Sequence, residues 1–179
     1  NKIDNNDIVQ TNTENNEITV NRIDGVWTPI YIDDSGAANF TWAEASEFNW
    51  CNGSGTYSDP YLLQNMRINA SGISGIFINN SNSYLRIENC EIFNAGMGES
   101  GVYLKDTNNT LLSCLNTSQN LGYGIFLREN NHNNTISTCN ASFSTTGIYI
   151  RDSENNTIDD CIAYNNSIGI YLYEFSNNT

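Results

Sequence analysis

Five times along this chain a glycine is followed by an apolar residue, an aromatic one and a second apolar one. The five are Gly75-Ile76-Phe77-Ile78, Gly101-Val102-Tyr103-Leu104, Gly124-Ile125-Phe126-Leu127, Gly147-Ile148-Tyr149-Ile150 and Gly169-Ile170-Tyr171-Leu172. Subtracting the glycine numbers gives steps of 26, 23, 23 and 22. Alternation with period two marks a strand with one buried face. Two further markers keep the same order. Asn-Asn-Thr begins at Asn108, Asn133, Asn155 and Asn177, and an apolar residue precedes Cys by three at Ile87/Cys90, Leu111/Cys114, Ile136/Cys139 and Ile158/Cys161. The segments between are polar turns such as Asp152-Ser153-Glu154-Asn155-Asn156, without a helical stripe. Each unit of about 22–26 residues is therefore two or three short strands with their turns. Stacking the units places equivalent residues ~4.8 Å apart over a continuous apolar column. The pattern predicts an all-β parallel β-solenoid; a leucine-rich repeat of similar period would need Leu-x-x-Leu-x-Leu-x-x-Asn, which is missing.

The predicted core is Ile76, Ile78, Val102, Leu104, Ile125, Leu127, Ile148, Ile150, Ile170 and Leu172 from the first strand, and Ile87, Leu111, Ile136 and Ile158 from the second. Cys90, Cys114, Cys139 and Cys161 follow as an inward column, which requires a bend between each Ile or Leu and its cysteine. Asparagine suits left-handed turns, and its stacked amides can bond from coil to coil. The repeated glycines fit tight corners with positive φ. Residues 1–20 read as a polar arm, 21–70 as an N-terminal cap with the first coil, and 71–179 as the repeats. Trp27, Trp42 and Trp50 are the expected apolar plug, because an uncapped solenoid exposes a strand edge.

Composition narrows the function classes. The 179 residues carry 7 Lys+Arg against 20 Asp+Glu, a formal net charge of -13, so binding nucleic acid through a basic patch is excluded. No stretch approaches the ~20 apolar residues of a membrane span. The chain opens on Asn1 rather than Met and ends inside a repeat, which reads as a processed or trimmed polypeptide, or as an end that associates with another copy along the solenoid axis. In that case the arm would add to a neighbour's edge and build a filament.

Four constellations carry candidate chemistry. Phe77, Tyr103, Phe126, Tyr149 and Tyr171 point outward on one sheet, with Lys105, Arg128 and Arg151 two residues on. Such a stripe suits a sugar ring or a protein partner, or is a ladder that stabilises its own sheet. Asp106, Glu129, Asp152 and Glu174 close successive strands; they form either a solvated ladder neutralised by Lys105, Arg128 and Arg151 or a calcium site. The cysteines read as buried thiols, with disulfides or a metal as alternatives. Asn-x-Ser/Thr occurs at Asn39, Asn52, Asn69, Asn79, Asn108, Asn116, Asn133, Asn140, Asn155, Asn165 and Asn177, candidate glycosylation sites in an exported protein. No catalytic residue is assigned: carboxylates fall at strand ends, and His132 stands alone in a polar turn.

Gly53-Ser54-Gly55-Thr56-Tyr57-Ser58-Asp59-Pro60-Tyr61, followed by Gly-Ile-Tyr-Ile and Asn-Asn-Thr-Ile-x-x-Cys repeats, resembles the right-handed parallel β-helix proteins of the NosD-like and carbohydrate-binding, sugar-hydrolase type. The resemblance covers roughly residues 50–179, and the Asn-rich style is similar to extracellular proteins of archaea, Asgard lineages among them. It implies a right-handed coil and a cell-surface setting. It leaves open a non-enzymatic surface or assembly domain, a carbohydrate-active lyase or hydrolase, and a filament subunit. The copper role attached to the NosD name has no ligand set here, with one His and two Met in the chain. The expected partner is a cell-surface glycan or protein, or a second copy, and no cofactor beyond calcium is expected.

Overall fold

The computed structural model describes residues 22–37 and 40–179, so the expected N-terminal arm and Asn39 lie outside the described residues. Three sheets run the length of a parallel solenoid of about five turns. The long sheet stacks Ile30–Asp33, Ile76–Ser81, Ser100–Thr107, Tyr123–Arg128, Thr146–Glu154 and Ile168–Ser176 in chain order. The second stacks Tyr61–Gln64, Leu85–Glu88, Thr110–Ser113, Thr135–Ser137 and Thr157–Asp159. The third joins a hairpin of Arg22–Ile23 and Val26–Trp27 to Arg67–Asn69 and Glu91–Phe93, then continues through single bridges at Asn116, Asn140 and Ile162.

The long sheet has the expected register. Ile76, Ile78, Val102, Leu104, Ile125, Leu127, Ile148 and Ile150 are all fully buried. Ile170 is 47% exposed, because no further strand covers its coil among the described residues. The repeat also begins earlier than the glycine signature shows. Ile30-Tyr31-Ile32 pairs with Ile76-Phe77-Ile78, and Pro29 stands where later coils have glycine.

The second sheet corrects two expectations. Leu112, not Leu111, pairs with Ile87 and Ile136, and Leu112 is fully buried while Leu111 is not. The column three residues on is therefore Met66, Cys90, Leu115, Cys139 and Cys161, and Cys114 is exposed. The expected bend lies between the two columns. Asn65, Asn89, Cys114, Thr138 and Asp160 all have φ near +50° to +56°. Cys114 occupies this left-handed corner, where the side chain points away from the core.

The glycines also behave differently from expectation. Gly101, Gly124 and Gly147 are not among the residues with positive φ. A Cβ on Gly101 would lie 2.7 Å from Gly124 O, one on Gly124 2.6 Å from Gly147 O, and one on Gly147 2.6 Å from Gly169 O. Close approach of successive backbones is the reason for glycine here. The left-handed corners go instead to side chains that tolerate them, and among the described residues ten of the 21 non-glycine residues at positive φ are Asn.

Residues 40–60 close the first coil. Thr41 and Glu44 form a capping box on the short helix Trp42–Ala45. Trp42 stacks on Tyr61 at 4.6 Å and its indole N–H donates to Ser81 Oγ at 2.7 Å, while Phe40, Phe48 and Trp50 cluster edge-on and stacked. Trp42 and Trp50 are buried; Trp27 is only half-buried and lies on the third sheet.

Candidate functional site

In-register parallel strands set equivalent side chains one strand spacing apart, so any aromatic at the outward position must stack on its neighbours. Six rings do so. Tyr31–Phe77, Phe77–Tyr103, Tyr103–Phe126, Phe126–Tyr149 and Tyr149–Tyr171 have centroids 4.5, 4.5, 5.1, 4.7 and 4.9 Å apart and planes within 15°. Tyr31 is the member that the glycine signature does not mark; its signal is the apolar-aromatic-apolar triplet after Pro29. Each inner ring has both faces covered. The sheet therefore presents ring edges outward, and a sugar cannot lie flat on Phe77, Tyr103, Phe126 or Tyr149.

Two residues further along each strand stand Lys105, Arg128 and Arg151, paired with one another in register. Behind them come the carboxylates at left-handed corners: Asp106, Glu129, Asp152 and Glu174 have φ of 46°, 61°, 51° and 48°. Arg128 Nε reaches Glu129 at 2.7 Å, Arg151 Nε reaches Asp152 at 3.0 Å, and Lys105 Nζ lies 3.3 Å from Glu129 and 3.9 Å from Asp106. The bond to Glu129 raises the Lys105 ammonium pKa. Cations thus alternate with the acids. Among the described residues, no three His, Cys, Asp or Glu side chains gather as metal ligands.

At the capped end of the ring ladder the face becomes concave. A cleft of about 340 Å³ is lined by Pro29, Tyr31, Ile73, Phe77, Tyr103 and, at its polar edge, Ser74 and Glu99. Ser74 Oγ donates to Glu99 Oε2 at 2.6 Å and accepts the Ser100 N–H at 3.1 Å. Burial pushes the Tyr31 and Tyr103 phenols up, so both stay neutral hydrogen-bonding groups at ordinary pH. At the end of the first strand of this sheet sits Asp33. Burial alone would raise its carboxyl, yet hydrogen bonds from Asn80, Ser35 and Asn79 hold it down to about 2. That direction is the reverse of what a general acid needs.

The remaining candidates are dispersed. Asn52, Asn116, Asn133, Asn155, Asn165 and Asn177 are exposed, and the last four share left-handed corners at φ of 53–56°. Asn69, Asn79, Asn108 and Asn140 are half-buried, and the Nδ2 groups of Asn79 and Asn108 are already spent on Asp33 and Asn82. His132 is half-buried and its backbone N–H donates to Asn108 Oδ1 at 2.7 Å. Cys51, Cys90, Cys114, Cys139 and Cys161 are all free thiols.

The model of a family described as "Right handed beta helix region" matches residues 74–179. No curated protein and no solved structure matches the chain.

Proposed function

Because this chain belongs to the right-handed β-helix family, a scaffold that hosts both enzymes and binding modules, we propose that it is a non-enzymatic extracellular binding module. Its ligand is a cell-surface glycan held at the capped end of the aromatic ladder. The observation that carries this reading is the cleft where the edges of Tyr31, Phe77 and Tyr103 meet the Ser74–Glu99 pair. Ring edges, Ile73 and Pro29 supply apolar contact to the C–H faces of a sugar. Glu99 and the phenols supply acceptors and donors for its hydroxyls, and the cleft falls within the ~300–1,000 Å³ usual for small ligands. Closing of the rest of the ladder on itself directs the ligand to this end. Support for an extracellular setting comes from the amide-rich surface and from the exposed sequons at Asn133, Asn155, Asn165 and Asn177.

A glycan array followed by titration of the best ligand tests the reading. Binding is expected, and Tyr103→Ala should weaken it roughly tenfold, the loss of one aromatic contact. Tyr171→Ala, at the far end, should leave it unchanged. Release of oligosaccharide from any bound polymer would show turnover and put a carbohydrate-active enzyme in place of the binding module.

A further inference from the structure

Cys139 and Cys161 occupy one position of successive coils. Ser137 pairs with Asp159 and Asn140 with Ile162, so the two cysteines between them stand in register on adjacent parallel backbones. The Ile162 N–H donates to Cys139 O at 2.8 Å and locks that register. Neighbouring strands are about 4.8 Å apart, which lies inside the roughly 4.4–6.8 Å between Cα atoms that a disulfide spans. Both side chains also leave the backbone on the same side. Cys139 Sγ lies 3.6 Å from Leu112 O and 3.2 Å from Ser137 O, and Cys161 Sγ lies 3.5 Å from Ile136 O and 3.3 Å from Asp159 O.

The same column holds Met66, Cys90 and Leu115 in earlier coils. Leu115 separates Cys90 from Cys139, so among the described residues Cys139 and Cys161 are the only cysteines of that column in successive coils. A cleft of about 300 Å³ opens beside Cys139, lined also by Cys114, Asp160 and Ile162. Cys139 itself is buried and Cys161 is half-buried.

We propose that Cys139 and Cys161 are a redox pair that closes a coil-to-coil disulfide on meeting a small-molecule disulfide, RSSR. The Cys161 thiolate attacks one sulfur of RSSR and expels RS⁻, leaving a mixed disulfide. The Cys139 sulfur then attacks the Cys161 sulfur, its proton passes to solvent, and the second RS⁻ leaves. Two protein thiols are oxidised, RSSR is reduced, and the two thiol protons end on two RSH. The order of attack follows from the environments. Interaction with Cys139 lowers the thiol of Cys161, the more exposed of the two, whereas the same interaction and burial raise Cys139. Cys139 resolves the mixed disulfide because it is already beside the sulfur it attacks.

Oxidised glutathione is the probe. The folded full chain is incubated with it, free thiols are alkylated, and peptides are mapped by mass spectrometry. The expected product is a Cys139–Cys161 peptide lacking two hydrogens, with Cys51 and Cys90 alkylated only after unfolding. Oxidation should raise the thermal midpoint by roughly 5–10 °C through the 22-residue loop it closes (161 minus 139). Cys161→Ser should abolish both effects with the β-signature in circular dichroism unchanged. Cys139→Ala should instead stop at glutathionylated Cys161. Glutathionylated Cys161 in the parent chain, with Cys139 still free after prolonged oxidation, would overturn the proposal, as would a disulfide that uses Cys114 instead.

Discussion

Asn156 accepts the backbone N–H of Asn134, its equivalent one coil earlier, on its side-chain Oδ1 at 3.0 Å. Its Nδ2 donates to Asn131 O at 2.9 Å, so one fully buried amide stitches two coils at a corner where the backbone leaves the sheets. Asn134 does the same for Thr110 N–H and Thr107 O, both at 2.8 Å, and Asn178 for Asn156 N–H and Ser153 O at 2.7 and 2.9 Å. A second corner uses Asn120, which accepts Ala95 N–H at 2.8 Å and donates to Ile92 O at 3.1 Å. Backbone groups turned inward at a corner have neither water nor a ladder partner, and the amide supplies both a donor and an acceptor.

Asn156→Ala strands a buried N–H and a buried carbonyl and should cost about 2–4 kcal/mol in denaturant unfolding. The neighbouring Asn155 is exposed, at φ 54°. Asn155→Gly should therefore change stability by less than about 0.5 kcal/mol. Equal losses at the two positions would show that the buried amide is not what ties the coils.

The register of the second sheet predicts opposite outcomes for two adjacent leucines. Leu112→Ala opens a cavity in the column and should cost about 3 kcal/mol, while Leu111→Ala on the outer side should cost less than about 1 kcal/mol. Equilibrium urea unfolding of the two variants decides it; a larger loss at Leu111 would restore the register read from the Leu111/Cys114 spacing.

Gly124→Ala adds a methyl group 2.6 Å from Gly147 O and 2.8 Å from Ala141 Cβ, both held by packed coils. The backbones must separate, so the variant should lose about 2–3 kcal/mol, in the range of overpacked cores. Gly98, at φ 80° with open space around it, is the contrast: Gly98→Ala pays only for its backbone conformation, about 1 kcal/mol. Thermal unfolding of the two variants should rank them in that order.

Asp33 makes stability depend on pH in a defined window. Its folded pKa of about 2 lies below the ordinary 3.8. Its contribution is therefore complete above the unfolded value near 4 and is lost as pH falls through about 2. The contribution is about 2 kcal/mol. Asp33→Asn should be destabilised relative to the parent at pH 7, and the gap should shrink between pH 4 and pH 2. A gap that stays constant across that range would mean that the hydrogen bonds to Asn79, Asn80 and Ser35 do not favour the charged form.

Much of this molecule is legible in the chain because a solenoid turns sequence period into spatial period. The glycine spacing alone places Ile76, Val102, Ile125 and Ile148 in one buried column and Phe77, Tyr103, Phe126 and Tyr149 in one outward row. The same spacing aligns Lys105, Arg128 and Arg151. Three-dimensional packing decides what a period cannot. Leu112 rather than Leu111 turns inward and Cys114 is left on a corner, since tandem leucines offer two registers and only burial of the whole coil selects one. Tyr31 joins the ladder across the capping segment, beyond the reach of a repeat that lacks its glycine. The glycines are needed because successive backbones approach closely, a distance visible only between coils. The candidate cleft likewise depends on where the cap places Pro29 and Ile73 against the first rings. Local pattern determines strands and faces because alternation is a property of neighbouring residues; which residue meets which across a coil is set by the packing of the whole.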